Sequence, residues 1–240
     1  MVKRILVLLV VAVLALAGCN PLPPFTAVVG SGNPVTQTFD FSNFDSLEIS
    51  NAFQAEVSAS DNYAVEVTVD DNLVDRLEVV QQGRTVKIGL QPSIGVSNTS
   101  LQARIAMPAL GSLDASGAAH VDLTGFKSGE AMRLDVSGAS AVRGDMETGD
   151  LTADVSGAST LNVSGRGDSL RATASGASTI DLSDYPVADA GVDARGASRI
   201  NVNASGTLDA KASGASGVRY SGNPTLGRID ESGAGTVSEQ

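Results

Sequence analysis

One tetrapeptide, Ser-Gly-Ala-Ser, recurs through the second half of the chain and constrains its fold more than any other feature. Four copies are strict, and three looser copies keep the central Gly-Ala pair. The seven copies begin 18 to 21 residues apart, at residues 116, 137, 156, 175, 195, 213 and 232. A fixed short period of this kind is typical of a solenoid, in which each repeat forms one turn of a stacked coil.

Apolar residues keep fixed positions on both sides of the tetrapeptide. Five residues after its first position, every copy carries an aliphatic residue, and three residues before it every copy is again apolar. Leu161-Asn162-Val163 shows the local alternation, and this period of two predicts strands. A Gly/Ser/Ala-rich linker would not hold an aliphatic residue at one offset seven times. The aliphatic residues after the tetrapeptide are Val121, Val142, Leu161, Ile180, Ile200, Val218 and Val237. The apolar residues before it are Leu113, Leu134, Ala153, Ala172, Val192, Ala210 and Ile229.

The predicted fold is therefore all-β, a right-handed parallel β-helix-like solenoid with coils of about 19 residues. Coils stacked at about 4.8 Å bury their apolar faces against one another, and the known crossover chirality favours the right-handed form. In each tetrapeptide, the glycine suits a corner with positive φ. We expect the alanine to point inward and the first serine to form a hydroxyl ladder along the corner.

The first nineteen residues have a distinct pattern of charge and hydropathy. A basic start, Lys3-Arg4, precedes an apolar run from Ile5 to Ala17 that is too short to span a bilayer. Leu16-Ala17-Gly18-Cys19 resembles the lipobox, which implies a signal peptide over residues 1–18 and a diacylglycerol anchor on Cys19. An ordinary secretory leader with an incidental cysteine is the alternative. Cys19 is also the only cysteine, so disulfides within the chain are excluded.

The mature chain divides into a tether and a β-rich domain. Residues 19–38, rich in proline and glycine, predict an extended tether. Residues 39–237 form the predicted domain, with an irregular part over 39–110 and regular coils over 111–237. In the irregular part we predict a hairpin turn at Gln82-Gly83 and a helical turn over 71–77. Ser50-Asn51-Ala52-Phe53 has the pattern of a degenerate corner, so the solenoid is expected to start near residue 47.

The charge of the chain argues against one class of partner. The formal net charge is −11, and removal of Lys3 and Arg4 with the leader leaves 14 basic residues against 27 acidic ones. This balance argues against nucleic acid as a partner. The last coil carries Glu231 and Glu239, which we expect to protect the C-terminal edge from strand addition.

A column of acidic residues lies two positions before each tetrapeptide. Carboxylates one coil apart repel by about 0.9 kcal/mol in water, so the column is either a solvated stripe or a site bridged by a divalent cation such as calcium. We treat it as a candidate acidic ligand stripe. Its acidic members are Asp114, Asp135, Asp154, Asp193 and Asp230, with Thr173 and Lys211 in the remaining coils.

No pattern in the sequence indicates catalysis. A pair of aspartates could serve a polysaccharide-cleaving enzyme, but glycosidases need two carboxylates in unlike environments, and this column is nearly uniform. The chain has no tryptophan and only three tyrosines to stack on sugars. His120 is the only histidine, so neither a zinc site nor a catalytic triad is expected. We therefore predict that the protein is not an enzyme.

The pattern as a whole resembles the head GIN domain family, known as putative autotransporter adhesin heads. The matching features are the opening at 39–49, Val65 to Val69 followed by Asp70-Asp71-Asn72-Leu73, Val86-Lys87-Ile88, Ala106 to Leu110 and the serial corners. The resemblance covers roughly residues 39–237. It implies a right-handed β-helix-like fold on secreted or lipid-anchored bacterial proteins. Arg195 departs from the family pattern, which usually has serine at the first position of the tetrapeptide.

We expect a lipid-anchored protein of the bacterial cell envelope, in the outer membrane or at the cell surface if the bacterium is Gram-negative. The solenoid is expected to be non-catalytic and to work in binding or adhesion, with a glycan or a cell-surface protein as its partner. Contact with the membrane is expected through lipidated Cys19. A structural or self-assembling envelope component is the alternative, since exposed coil ends can stack, and a polysaccharide-cleaving enzyme is a third hypothesis.

Overall fold

The alternating residues of each repeat form two strands, one on either side of the Ser-Gly-Ala-Ser corner. The structure, a computed structural model, describes residues 27–92 and 95–240. The stacked parallel coils of about 19 residues form a β-solenoid of about seven regular turns, as the repeat predicts. None of the helical structure in the described part of the chain is long and apolar enough to cross a membrane.

The described residues form 23 strands in chain order. The irregular part contains β1 (Val28–Val29), β2 (Pro34–Phe39), β3 (Ser46–Ile49), β4 (Gln54–Ala59), β5 (Ala64–Asp70), a 3₁₀ helix (Asp71–Arg76), β6 (Leu77–Gln82), β7 (Thr85–Leu90), β8 (Val96–Ser97) and β9 (Leu101–Met107). The regular coils contain β10 (Ser112–Ala115), β11 (His120–Lys127), β12 (Met132–Val136), β13 (Ala141–Glu147), β14 (Asp150–Val155), β15 (Thr160–Arg166), β16 (Ser169–Ala174), β17 (Thr179–Val187), β18 (Asp189–Gly196), β19 (Arg199–Ala204), β20 (Thr207–Gly214), β21 (Gly217–Ser221), β22 (Thr225–Gly233) and β23 (Thr236–Glu239).

Two long sheets form the walls of the solenoid, and the core lies between them. The ten-stranded sheet has the order β22-β20-β18-β16-β14-β12-β10-β3-β7-β6. The eleven-stranded sheet has the order β2-β5-β9-β4-β11-β13-β15-β17-β19-β21-β23. Equivalent repeat positions pair directly, as Leu113 does with Leu134 in one sheet and Val121 with Val142 in the other. These side chains are fully buried, so each coil covers the apolar face of the next.

The first half of the chain builds the N-terminal layers out of sequence order. Strands β3 and β4 form a layer that lies between β7/β9 on one side and β10/β11 on the other. The degenerate corner is confirmed: Asn51 has a φ of 59°, and Ala55 and Val57 pair with Val121 and Leu123. The hairpin and the helical turn are also observed, as the β6–β7 hairpin with Gly83 at a φ of 63° and as the 3₁₀ helix over Asp71–Arg76.

The chain enters the fold earlier than the tether prediction allows. Strand β2 pairs antiparallel with β5 from residue 34, and β1 pairs with β8, so the later part of the expected tether is strand. Pro34 is compatible with this because it is the first residue of an edge strand, where no ladder N–H is required. Asp70, which is buried, accepts hydrogen bonds from the backbone N–H groups of Gly32 and Ser100 and so fixes this segment.

The corner is oriented differently from our expectation. The alanines of the strict copies, such as Ala158, are exposed, while the fourth residue of the tetrapeptide is buried. Ser178 Oγ lies 3.1 Å from the backbone oxygen of Val155 and 2.8 Å from that of Ser175, so the hydroxyl inside the coil bonds the corner backbone. The first serine is only half-buried. The prediction of an inward alanine is therefore wrong, because the left-handed glycine rotates the next residue outward. The buried serines are Ser140, Ser159, Ser178, Ser198 and Ser216.

Candidate functional site

The acidic stripe predicted from the repeat forms one continuous column on the outer face of the ten-stranded sheet. Asp114 pairs with Asp135, and Asp135 pairs with Asp154 in the next coil. Beyond Thr173, the column continues through Asp193, Lys211 and Asp230. The parallel, in-register pairing places equivalent side chains on the same face of neighbouring coils. The structure thus brings the five predicted aspartates into one row, broken by a threonine and a lysine.

Arginine side chains neutralise much of this row. Arg133 lies two residues before Asp135 in strand β12 and donates to Asp135 at 2.8 Å and to Asp154 at 2.7 Å. Arg195 makes a forked contact with Asp193, with distances of 2.9 and 2.6 Å. Bidentate pairing of this kind is the strongest that guanidinium and carboxylate groups make. The row is therefore a charge ladder rather than a bare acidic stripe.

Asp114, like Asp230, has no cation bonded to its carboxylate in the described structure, unlike the three aspartates that Arg133 and Arg195 contact. Its carboxyl pKa is raised above the ordinary value, first because burial desolvates the charge and then because Asp135 and Glu48 lie beside it; Lys87 partly offsets this effect. Like charges next to a partly desolvated carboxylate favour its protonated form. Asp114 is thus the electrostatically least satisfied member of the row.

The row begins one layer earlier than the sequence predicts. Glu48 pairs with Asp114 in the sheet, and Lys87 pairs with Glu48, with their charged atoms 2.7 Å apart. Hydrogen bonding to Glu48 raises the pKa of Lys87. The alignment of the degenerate corner at residue 50 could have identified Glu48, because Glu48 also lies two positions before that corner. Nothing in the period identifies Lys87, whose layer enters from a later part of the chain.

The calcium hypothesis requires several oxygen ligands around one point. Within residues 27–92 and 95–240, no group of three or more His, Cys, Asp or Glu side chains is arranged to hold a metal ion. Asp135 and Asp154 instead share the guanidinium of Arg133. Calcium bridging, one of the two hypotheses for the row, stays untested, and in the structure the guanidinium of Arg133 lies between two of the carboxylates that calcium would bridge.

The outer face of the eleven-stranded sheet is also polar and carries charges of both signs. Arg104 lies beside Glu66 and Glu56 in the register, and its Nε is 3.1 Å from Glu56 Oε2. Asp122 and Arg143 continue the row, with 3.9 Å between their charged atoms. An open groove of about 590 Å³ follows this part of the face. The face can make many hydrogen bonds and ion pairs over an extended surface.

A third polar cluster lies where the eleven-stranded sheet turns into the ten-stranded sheet. Glu147 lies between Lys127, at 3.1 Å, and Arg166, and hydrogen bonds from these two cations lower its carboxyl pKa. Behind it, the buried Tyr185 hydroxyl lies 2.6 Å from Thr148 Oγ1, and desolvation raises the pKa of that tyrosine. A groove of about 490 Å³ runs between these groups.

The two remaining residues that the sequence singles out are Cys19 and His120. Cys19 and the signal peptide lie outside the described residues. His120 is exposed at the start of β11, and its Nδ1 lies 3.2 Å from the backbone oxygen of Ala118.

Solved structures share the fold over nearly the whole chain. A "putative adhesin" from Bacteroides fragilis matches with a TM-score of 0.83 at 17% identity, covering 89% of this chain and 100% of that one. A "putative lipid binding protein" from Parabacteroides distasonis matches with a TM-score of 0.71 at 21% identity, covering 90% and 100% of the two chains. A "putative adhesin" from Parabacteroides merdae matches with a TM-score of 0.66 at 20% identity, covering 89% and 99%. At these identities, the likeness concerns the fold.

The sequence itself matches a family model. No curated protein is significantly similar to the chain. The family model described as "Putative auto-transporter adhesin, head GIN domain" covers residues 43–224, which extend from strand β3 to strand β21 and include all but the last regular coil. This range agrees with the resemblance noted in the sequence and spans most of the chain. The chain therefore belongs to the head GIN domain family of auto-transporter adhesin-like proteins.

Proposed function

We propose that the protein is a lipid-anchored component of the bacterial cell envelope that displays its solenoid as a non-catalytic binding surface. Family membership carries the adhesin-like part of this proposal. The two outer faces add a physical reason, since both carry rows of ion pairs and short polar side chains held at fixed spacing by the coils. Such a surface suits an extended polar partner, either a glycan chain or a cell-surface protein.

The state of the charged groups supports binding rather than catalysis. The row on the ten-stranded sheet is an ion-paired ladder in which Arg133 and Arg195 engage three of the aspartates. General acid–base catalysis by two carboxylates needs one that is protonated and one that is ionised, placed on either side of a substrate. Carboxylates in one row on an exposed face are side by side, which suits contact with a repeating ligand.

A binding assay tests this proposal directly. The full chain, purified in a nonionic detergent and immobilised, is incubated with bacterial and host polysaccharides and with cell-surface protein fractions, with and without calcium. We expect retention of at least one extended polar ligand without release of cleaved product. Release of oligosaccharides would overturn the non-catalytic assignment, and a lack of retention across the whole panel would count against binding.

The lipid anchor is tested separately. When the protein is produced in a bacterial host with labelled palmitate, we expect label on the wild-type chain and its recovery with the membrane fraction. Cys19→Ser should abolish the label, because the sulfur that carries the lipid is lost. Labelling that persists in the Cys19→Ser variant would contradict anchoring at this residue.

A further inference from the structure

Two glutamates of the last coil occupy positions that are apolar and inward-facing in the coils before it. Glu231 pairs with Ala212, which follows Ala194 and Ala174 in the same column, and all three alanines are buried. Glu239 pairs with Tyr220, in a column whose preceding members are the buried Leu182 and Val202. The last strand of each sheet thus places a carboxylate at a position that faces the core in the preceding coils.

Glu231 also occupies the open edge of strand β23. The N–H groups of Thr236 and Gln240 donate to the preceding coil, at Ser216 and Tyr220. In a parallel sheet, successive residues of a strand direct their N–H groups to the strands on opposite sides. The N–H of Val237 therefore points away from the preceding coil. This N–H donates to Glu231 Oε1, which folds across the end of the coil. A donor that would otherwise be free to pair with another strand is thereby satisfied within the coil.

The remainder of this end would favour strand addition. Leu226 is 47% exposed, and Ile229 and Val237 are only partly buried, so apolar surface accompanies the free edges of β22 and β23. Exposed edges of this kind are templates for pairing with another chain, and inward-pointing charges are one of the ways in which proteins prevent it. Covering the end would bury two carboxylates per chain away from water, which is costly without a cationic partner.

We infer that Glu231 and Glu239 close the C-terminal end of the solenoid and prevent a second copy of this chain from stacking on it. Without the two carboxylates, the ends of two copies are complementary through a two-fold axis, with β22 against β22 and β23 against β23 in antiparallel pairs. An isologous contact of this kind closes on itself. Assembly of the wild-type chain through its C-terminal end is therefore blocked by its own sequence.

The test compares molecular masses. We measure the protein mass of the full chain in a nonionic detergent by light scattering, with the detergent contribution subtracted. The wild-type chain should be monomeric. The variant Glu231→Ala with Glu239→Val continues the apolar columns of the preceding coils and should have the mass of two or more chains at the same concentration. A monomeric double variant, or a wild-type chain that associates through β22 and β23, would overturn the inference.

Two matched variants separate end-to-end stacking from unfolding. Asp230→Ala with Ser238→Val changes the outward-facing neighbours on the same two strands and should remain monomeric. Adding Val237→Pro to the double glutamate variant removes the N–H that points out of the stack and should restore the monomer, since proline at an edge blocks pairing. If the proline variant associates as strongly as the double variant, non-specific aggregation explains the mass and the inference is wrong. Circular dichroism confirms that each variant keeps its strand content.

Discussion

Replacing Gly157 by valine tests the corner geometry on which the stacking of the coils depends. Gly157 has a φ of 78°, in the left-handed region that side chains rarely adopt. A Cβ at this residue would overlap the carbonyl oxygen of Gly138 in the preceding coil and lie 3.1 Å from its nitrogen and 3.2 Å from its carbonyl carbon. The same carbonyl accepts a hydrogen bond of 2.8 Å from Ala158. The substitution therefore strains the backbone and separates two coils.

The magnitude follows from three contributions to the free energy of unfolding. A left-handed conformation costs a residue with a Cβ about 1–2 kcal/mol. Overpacking against rigid surroundings costs about 1–3 kcal/mol, and losing the hydrogen bond to Gly138 costs about 0.5–1.5 kcal/mol. The sum is about 2.5–6.5 kcal/mol, which for a domain of this size lowers the melting temperature by on the order of 10 °C. The measurement is thermal unfolding followed by far-UV circular dichroism.

Gly191→Val is the matched control for this experiment. Gly191 lies in strand β18, does not have a positive φ, and a Cβ there would have no atom within 4 Å. Valine favours strands, so this variant should unfold within about 0.5 kcal/mol of the wild-type chain, as surface substitutions usually do. A Gly157→Val variant that melts with the wild-type protein, or a control that loses as much stability, would refute the corner geometry.

Three further predictions concern the charges and the buried hydroxyls, and a fourth concerns calcium. Because the pKa of Asp114 is raised in the folded state, this carboxyl group favours folding below the ordinary pKa of 3.8, and that contribution is lost as the pH rises through the folded pKa. We therefore expect Asp114→Asn to raise the melting temperature at neutral pH and low salt, since each neighbouring carboxylate repels the Asp114 carboxylate by about 0.9 kcal/mol in water. Asp45, whose pKa the Arg84 hydrogen bond lowers, should show the opposite slope: Asp45→Asn should lower stability above pH 3.8 and lose its effect as the pH falls through the folded pKa. Ser178→Ala should cost about 1 kcal/mol in a urea titration, because a buried hydroxyl bond is lost, and a more stable variant would contradict its role. Because Arg133 already bonds Asp135 and Asp154, we expect the wild-type chain to melt at the same temperature in calcium as in EDTA. A melting temperature that increases with calcium would support the metal-bridged stripe.

The repeat makes the register predictable. In a parallel solenoid, one period of sequence equals one coil, so residues that share an offset from the tetrapeptide must be neighbours in a sheet. Val121 and Val142 pair for this reason, and so do Asp114 and Asp135. The same reasoning, applied to the degenerate corner, correctly places Ala55 beside Val121. The acidic row is thus predictable as a row.

The charges that accompany the row are not predictable in the same way. Arg133 belongs to a neighbouring column, and its choice of Asp135 and Asp154 depends on the twist of the sheet and on the rotamer of a long side chain. Lys87 reaches Glu48 only because β7 lies against β3, although the two strands are 39 residues apart in their paired positions. Long-range placement of this kind has no local signal in the sequence.

By itself, the sequence determined the fold class, the period of the coil, the position of each strand within the regular coils and the members of the acidic row from Asp114 to Asp230, because all of these follow from a repeated pattern of apolar and polar residues. The tertiary structure decided what the pattern leaves free. It placed the β3/β4 layer between layers that follow it in the chain, and it turned Ala158 outward and Ser178 inward. It also set Glu231 across the end of the stack. These outcomes depend on backbone rotation at the corners and on contacts between distant segments, which only the folded chain brings together.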